Sequence, residues 1–377
     1  MKKRDWICSC IAAALIAVYL WLIPGYLQLS RVENTLRSKP KEQGAYTGVI
    51  TVWHIAGFKP YQGSMGTWLS DKAAAFEKRH YGIFIDVTAL SPEDCAERLA
   101  RGERADAYSF PLGWGYAERF MPLTPIDAPF VRGIADTGVQ EGITYAAPYA
   151  LSGYFLLSNA RLEQEKGVQL AEGCTQGELQ QAVDTLTYTY GKKNRQRYGM
   201  AGSKLLAARL GLTCQVAEYE QFYGQDAALA LGDARAVGDL NRRQTEGKGF
   251  AFGAYALGDY TDLVQYVGIA RDADARKLPY IEDYFALLLR EDSQASLAEL
   301  GLLPVIRLEA EDKATDLEPL RALREKLAAP LIPNAFLYQR YQDELLSLSE
   351  RALAGDAIAK KELDQRLKQL VKAVEIQ

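Results

Sequence analysis

Apolar residues alternate with polar ones from Gly48 through Val-Ile-Thr-Val to Trp53, a β-branched pattern that predicts a strand. A glycine-rich loop covers Ala56–Gly66. Leu69, Ala73 and Phe76 then recur at helical spacing behind Thr67, which is placed to cap a helix. Ile83–Val87 predicts a second strand, Pro92–Arg101 a short helix and Ala105–Phe110 a third strand. Strand and helix in alternation are the mark of a layered α/β sheet. Further along, Thr144–Leu157 is extended but interrupted by Pro148 and Gly153. Glu178–Thr189 and Ser203–Leu212 are helical in pattern, and Gly249–Tyr255 and Val264–Ile269 strand-like. Asp283–Arg290 fits strand or helix equally. Leu317–Leu327 predicts a helix. The chain ends in a helical pair, Tyr341–Leu353 stopping at Gly355 and Ala357–Glu375 following Asp356. Its stripe of Leu363, Leu367, Leu370, Val371 and Val374 is expected to pack into a core.

The N-terminus carries a different pattern. Lys2, Lys3 and Arg4 precede Trp6–Ser30, which contains no charged residue. That length suffices to cross a bilayer, with Trp6, Trp21 and Tyr26 near its ends. Ile23-Pro24-Gly25-Tyr26 offers no small-x-small cleavage site, so residues 1–30 are expected to stay as one transmembrane helix. The basic flank places the N-terminus in the cytoplasm and the body outside the cell, on a single-pass anchor. Residues 31–47 are polar and serve as a stalk. Cys8 and Cys10 precede the apolar run, where a lipoprotein anchor would need a cysteine after it.

Composition narrows the function. The 377 residues suggest about two domains. The formal charge is −4, and because residues 1–44 carry +4 the body carries −8. Such a body has no basic footprint for nucleic acid. Cys95, Cys174 and Cys214 in the body form no disulfide framework; one bridge, Cys174–Cys214, is conceivable. The only histidines are His54 and His80. HExxH, GxSxG, Walker A and GxGxxG motifs are all absent, so the sequence nominates no catalytic residue, metal site or cofactor.

Four segments in order carry a family resemblance. Ile50-Thr-Val-Trp53 leads through a loop to Leu69 and Ala74-Ala75-Phe76-Glu77. Arg104-Ala-Asp106-Ala-Tyr-Ser-Phe110 leads through Gly113 and Gly115 to Phe120-Met-Pro-Leu123. Tyr145-Ala-Ala-Pro148-Tyr-Ala-Leu-Ser-Gly-Tyr154 precedes Asn159-Ala-Arg-Leu162. Glu246-Gly-Lys248-Gly-Phe-Ala-Phe-Gly253 precedes Gly301-Leu-Leu-Pro304-Val. Together they resemble the extracellular solute-binding proteins of sugar-type ABC importers, the maltose-binding-protein-like family 1. The chain departs from the family at Ser158, where a tyrosine is usual, and in a short segment between Leu289 and Gly301.

The resemblance implies a two-lobed, periplasmic-binding-protein-like (type II) fold. Lobe 1 is expected to comprise 48–148 plus about 270–305, and lobe 2 to comprise 149–269 plus about 306–377. Hinges are expected near Pro148–Tyr154, near Ile269–Tyr280 and after Pro304. It implies a non-enzymatic receptor that closes on a small polar solute, a carbohydrate being favoured, and delivers it to ABC permease subunits. A ligand-sensing module acting on a membrane signalling partner is the alternative. A sugar site needs aromatic faces and hydrogen-bonding groups on loops at strand ends. The candidates are His54, Phe58 and Lys59 of the first loop, Ser109, Phe110 and Trp114 of the third-strand loop, Tyr149 and Tyr154 of the crossover, and Tyr255 and Tyr284 beyond it.

Overall fold

In the computed structural model, which describes residues 46–308, 318–327 and 329–375, the first alternating run becomes β1 (Gly48–Ile55). Then come α1 (Met65–Glu77), β2 (Ile83–Leu90), α2 (Pro92–Ala100) and β3 (Ala107–Pro111). A ribbon of β4 (Val139–Gln140) and β5 (Ile143–Thr144) precedes β6 (Ala147–Leu151). The chain then crosses to a second lobe. There it forms β7 (Tyr154–Asn159), α3 (Ala160–Lys166), α4 (Gln176–Leu186), β8 (Tyr188–Tyr190), β9 (Arg195–Gly202) and α5 (Lys204–Arg209). β10 (Val216–Ala217), α6 (Tyr219–Tyr223), β11 (Ala227–Asp233), α7 (Ala234–Thr245) and β12 (Phe252–Leu257) complete that lobe's sheet layer. β13 (Val264–Ile269), α8 (Leu278–Leu288) and α9 (Glu291–Ala295) return to the first lobe. α10 (Glu318–Lys326), α11 (Ala335–Leu353) and α12 (Ala357–Glu375) end the described chain.

Two sheets result. The first has the order β2-β1-β3-β13-β6, the second β10-β9-β11-β7-β12 with β8 beside β9. β1 pairs in parallel with β2 and β3, and its last four residues are all buried, as a strand covered by helices on both faces should be. The two-lobed α/β architecture expected from the sequence is therefore present.

The boundaries differ from expectation. The first crossing is at Ser152–Gly153, inside the expected hinge, but Tyr149–Leu151 belong to β6 of the first sheet. The second crossing lies at 258–263, not at Ile269–Tyr280. β13 is the reason: it inserts antiparallel between β3 and β6, with every residue buried, and so belongs to lobe 1. Leu303 pairs with Leu151 and the Arg307 amide bonds Pro129 in lobe 1, whereas α10 packs on β12 of lobe 2.

The C-terminal helices serve both lobes. The Asn334 side chain caps α11 and donates to the Val139 carbonyl, while Phe336 packs against Phe110, Phe120 and Tyr145 of lobe 1. The body of α11 lies on α5 of lobe 2. Local capping explains other shifts: Ser64, not Thr67, caps α1, and Asn334 starts α11 before Tyr341. Asp283–Arg290 falls largely within α8, so it is helical. Cys174 and Cys214 are both free thiols.

The anchor at 1–30, and the stalk up to residue 45, lie outside the described residues. Among the described residues no helix is long and apolar enough to cross a membrane.

Candidate functional site

Between the lobes, at the hinge, lies a cavity of about 590 Å³. This is the size range of small-molecule sites. Lobe 1 contributes Gly57, Phe58 and Lys59, from the loop that leaves β1. Tyr154 and Leu263, one on each crossing segment, form the base. Lobe 2 contributes the ends of β9 and β11, Ser203 at the cap of α5, α6 with Glu218 before it, and the N-terminal half of α7. The β9 and β11 ends are carboxyl ends of parallel strands, where open α/β sheets take ligands.

The lobe 2 wall is shaped by close backbone approach. Gly202 has φ +98°, and a Cβ there would stand 2.3 Å from the Leu231 carbonyl oxygen, so only glycine permits β9 and β11 to meet at this point. Ser203 then caps α5, and Asp233 caps α7 by accepting from the Ala236 amide at 3.1 Å. Burial raises the Asp233 carboxyl above its usual range, opposed by the amides it caps. Arg235 and Asp239 on α7 pair at 3.2 Å. Tyr219 and Tyr223, at the two ends of α6, stand edge to face with centroids 4.9 Å apart. The guanidinium of Arg243 lies 4.3 Å from the Tyr223 ring centre. Burial pushes the Tyr223 phenol up to about 12.

Tyr154 ties the cavity to the hinge. Its ring lines the base, while its hydroxyl donates to Asp262 at 2.5 Å. Burial first, then the Asp262 charge, holds its phenol well above the usual value. Tyr338 of α11 donates to the other Asp262 oxygen at 2.9 Å, and Tyr260 is 3.4 Å from it.

One further contact joins the lobes. Tyr61 packs against Gly301 of lobe 1, where a Cβ would stand 2.4 Å from the Tyr61 Cβ, and accepts from Asn241 Nδ2 of α7 at 3.1 Å. A Cβ at Gly238 would lie 2.4 Å from the Tyr61 carbonyl oxygen. Gly238→Ala should favour α7 itself, by up to about 1 kcal/mol of helix propensity, yet force the 57–63 loop away from lobe 2. The expected result is a larger radius of gyration by small-angle scattering without loss of unfolding free energy.

Of the residues nominated from sequence, the cavity brings together Phe58, Lys59 and Tyr154. His54, Ser109 and Tyr149 are placed elsewhere, in a buried chain of hydrogen bonds inside lobe 1. His54 Nδ1 and Ser109 Oγ are 2.9 Å apart, and Ser109 Oγ and the Tyr149 hydroxyl 2.8 Å. Gln265 completes this chain, donating to Ser109 Oγ and to the Ile55 carbonyl. The β1–β3 register sets His54 directly beside Ser109, so both point into the same interior. Phe110 is wholly buried and stacks on Phe120. Tyr284 is buried and donates to the Leu69 carbonyl. Trp114 is half-buried against Tyr108 and Phe110 under Arg119, and it does not line the cavity. Tyr255 donates to the Leu170 carbonyl on another part of lobe 2.

Sequence reasoning missed the lobe 2 wall: Ser203, Glu218, Tyr219, Glu220, Tyr223, Asp233, Arg235 and Asp239. One signal was available, the paired tyrosines of Tyr219-Glu-Gln-Phe-Tyr223, four apart and so on one helical face.

No family model and no curated protein matches this chain. Solved structures do. The chain is similar to an ABC substrate-binding protein from Listeria monocytogenes in complex with cycloalternan, at 16% identity and TM-score 0.59, over 88% of this chain and 100% of that one. It is similar to the cyclic α-maltosyl-1,6-maltose binding protein of Arthrobacter globiformis, at 16% identity and TM-score 0.60, over 88% and 100%. It is similar to the sugar-binding protein of the phytopathogen Xanthomonas citri, at 16% identity and TM-score 0.59, over 87% and 98%. At such identities the likeness is one of fold, and it covers both lobes: this chain has the two-lobed α/β fold of sugar-binding proteins of ABC transporters.

Proposed function

We propose that this protein is a solute-binding receptor that captures a carbohydrate between its lobes and hands it, unaltered, to an ABC permease. The observation that carries this reading is the cavity at the hinge, walled by both lobes and floored by Tyr154. Its chemistry suits a sugar. The rings of Phe58, Tyr154, Tyr219 and Tyr223 offer faces for C–H surfaces. The carboxylates of Glu218, Glu220, Asp233 and Asp239 offer acceptors for hydroxyl rims. A ligand touching both walls favours the arrangement in which the lobes meet, because only there does it make all its contacts. Residues 1–30 would hold the receptor on the outer face of the cell membrane, near its permease.

Phe58, Lys59 and Tyr154 are kept from the sequence as solute contacts, and the α6 and α7 residues join them. The reading is tested by calorimetric titration of the full chain with glucose, maltose, longer malto-oligosaccharides and cyclic α-glucans. Saturable binding should appear for at least one of them. Tyr219→Ala should weaken that binding at least about tenfold, or ~1.4 kcal/mol. Binding that ignores Tyr219→Ala would place the solute elsewhere.

A further inference from the structure

We propose that the saccharide taken by this cleft carries a positive charge: an amino sugar with a free ammonium group. The inference rests on the reading of the cavity as a saccharide site and adds the class of saccharide. Three carboxylates of the lobe 2 wall, Glu218, Glu220 and Asp233, have no basic side chain within 4 Å among the described residues. Asp239 differs, being paired with Arg235 and Arg242. From lobe 1 only Lys59 brings a cation to the lining, one charge against three.

The field of these acids reaches the ring hydroxyls. Burial raises the phenols of Tyr154, Tyr219 and Tyr223, and in each the Asp233 charge adds to the rise. The Tyr219 hydroxyl is itself buried in this wall, beside the Tyr223 hydroxyl but without closing a full hydrogen bond to it. A buried polar atom left unmatched calls for a group that arrives from outside. When the lobes close, water leaves the carboxylates. A neutral sugar then supplies hydroxyl donors but leaves the net negative charge in a medium of lower dielectric. An ammonium supplies three donors and the missing charge together. Tyrosine faces suit it as well, and Tyr223 already holds the Arg243 guanidinium in this manner.

The test uses the full chain and matched pairs in which an amine replaces one hydroxyl: glucosamine with glucose, galactosamine with galactose, and the β-1,4 glucosamine disaccharide with cellobiose. Titrations are run at low salt and pH 6.5, where the amine is charged. At least one amino sugar should bind about tenfold or more tightly than its neutral partner. That advantage should largely vanish in Asp233→Asn, since asparagine still caps α7. Neutral members that bind as well as or better than their amines would overturn the inference and leave the saccharide reading standing. If no amino sugar and no neutral sugar binds, both fall.

Discussion

Lowering the pH from 7 to about 4 should remove about 3 kcal/mol of folding stability through a single residue, His54. Its imidazole is 3% exposed and sits between Ser109 and Gln265. Burial lowers its pKa from 6.5 to about 4. Below about 6.5 the unfolded chain takes up a proton at this histidine that the folded protein refuses until about 4. The stability is thus full above 6.5 and is lost as pH falls through that window. A shift of this size corresponds to about 3 kcal/mol, since each pKa unit is worth ~1.4 kcal/mol. Carboxylates titrate in the same range, so the quantity to measure is a difference. Urea unfolding of the full chain and of His54→Gln should give different slopes of free energy against pH between 4 and 6.5. Equal slopes would mean that His54 is charged in the fold.

Asp262→Ala is expected to cost the protein about 3 kcal/mol or more. Three tyrosines surround this carboxylate: Tyr154 from the first crossing, Tyr260 from the second, and Tyr338 from α11. Hydrogen bonds to a charged acceptor contribute about 1.5–3 kcal/mol each. The bonds of Tyr154 and Tyr338 are well formed; without the carboxylate the Tyr154 hydroxyl loses its acceptor and Tyr338 keeps only the neighbouring Tyr260 hydroxyl. Asp262→Asn keeps one oxygen and should lose less. Thermal unfolding of the two variants would check the order. The same constellation gives the hinge a definite construction, because one carboxylate binds both crossing segments to the helix that packs on both lobes.

The parts of the fold legible in the sequence are those where burial imposes a period. β1, α1, β2, α2 and β3 alternate or repeat cleanly because each has one or two covered faces. β9 and β11 escaped notice for opposite reasons. Arg195–Gly202 mixes charge and glycine without alternation, and Ala227-Ala-Leu-Ala-Leu-Gly-Asp233 is alanine-rich, a composition that local propensity assigns to helix. Its strand character comes from being enclosed by β7 and β9. The site follows the same division. Phe58, Lys59 and Tyr154 stand on legible elements. The lobe 2 wall stands on α6, five residues long and too short to show a period, and on α7, which follows the illegible β11. His54 and Ser109 were misplaced because a strand's last residues can face a cleft or a core, and alternation alone does not tell these apart.

Hydrogen exchange of the full chain, with and without the saccharide that titration identifies, tests most directly whether the solute is held between the lobes. Protection should rise together at Gly57–Lys59 of lobe 1, at Tyr219–Tyr223 and Asp233–Asp239 of lobe 2, and at the hinge around Tyr154. Protection confined to one lobe, or centred on Trp114 or Tyr255, would contradict capture in the hinge cavity.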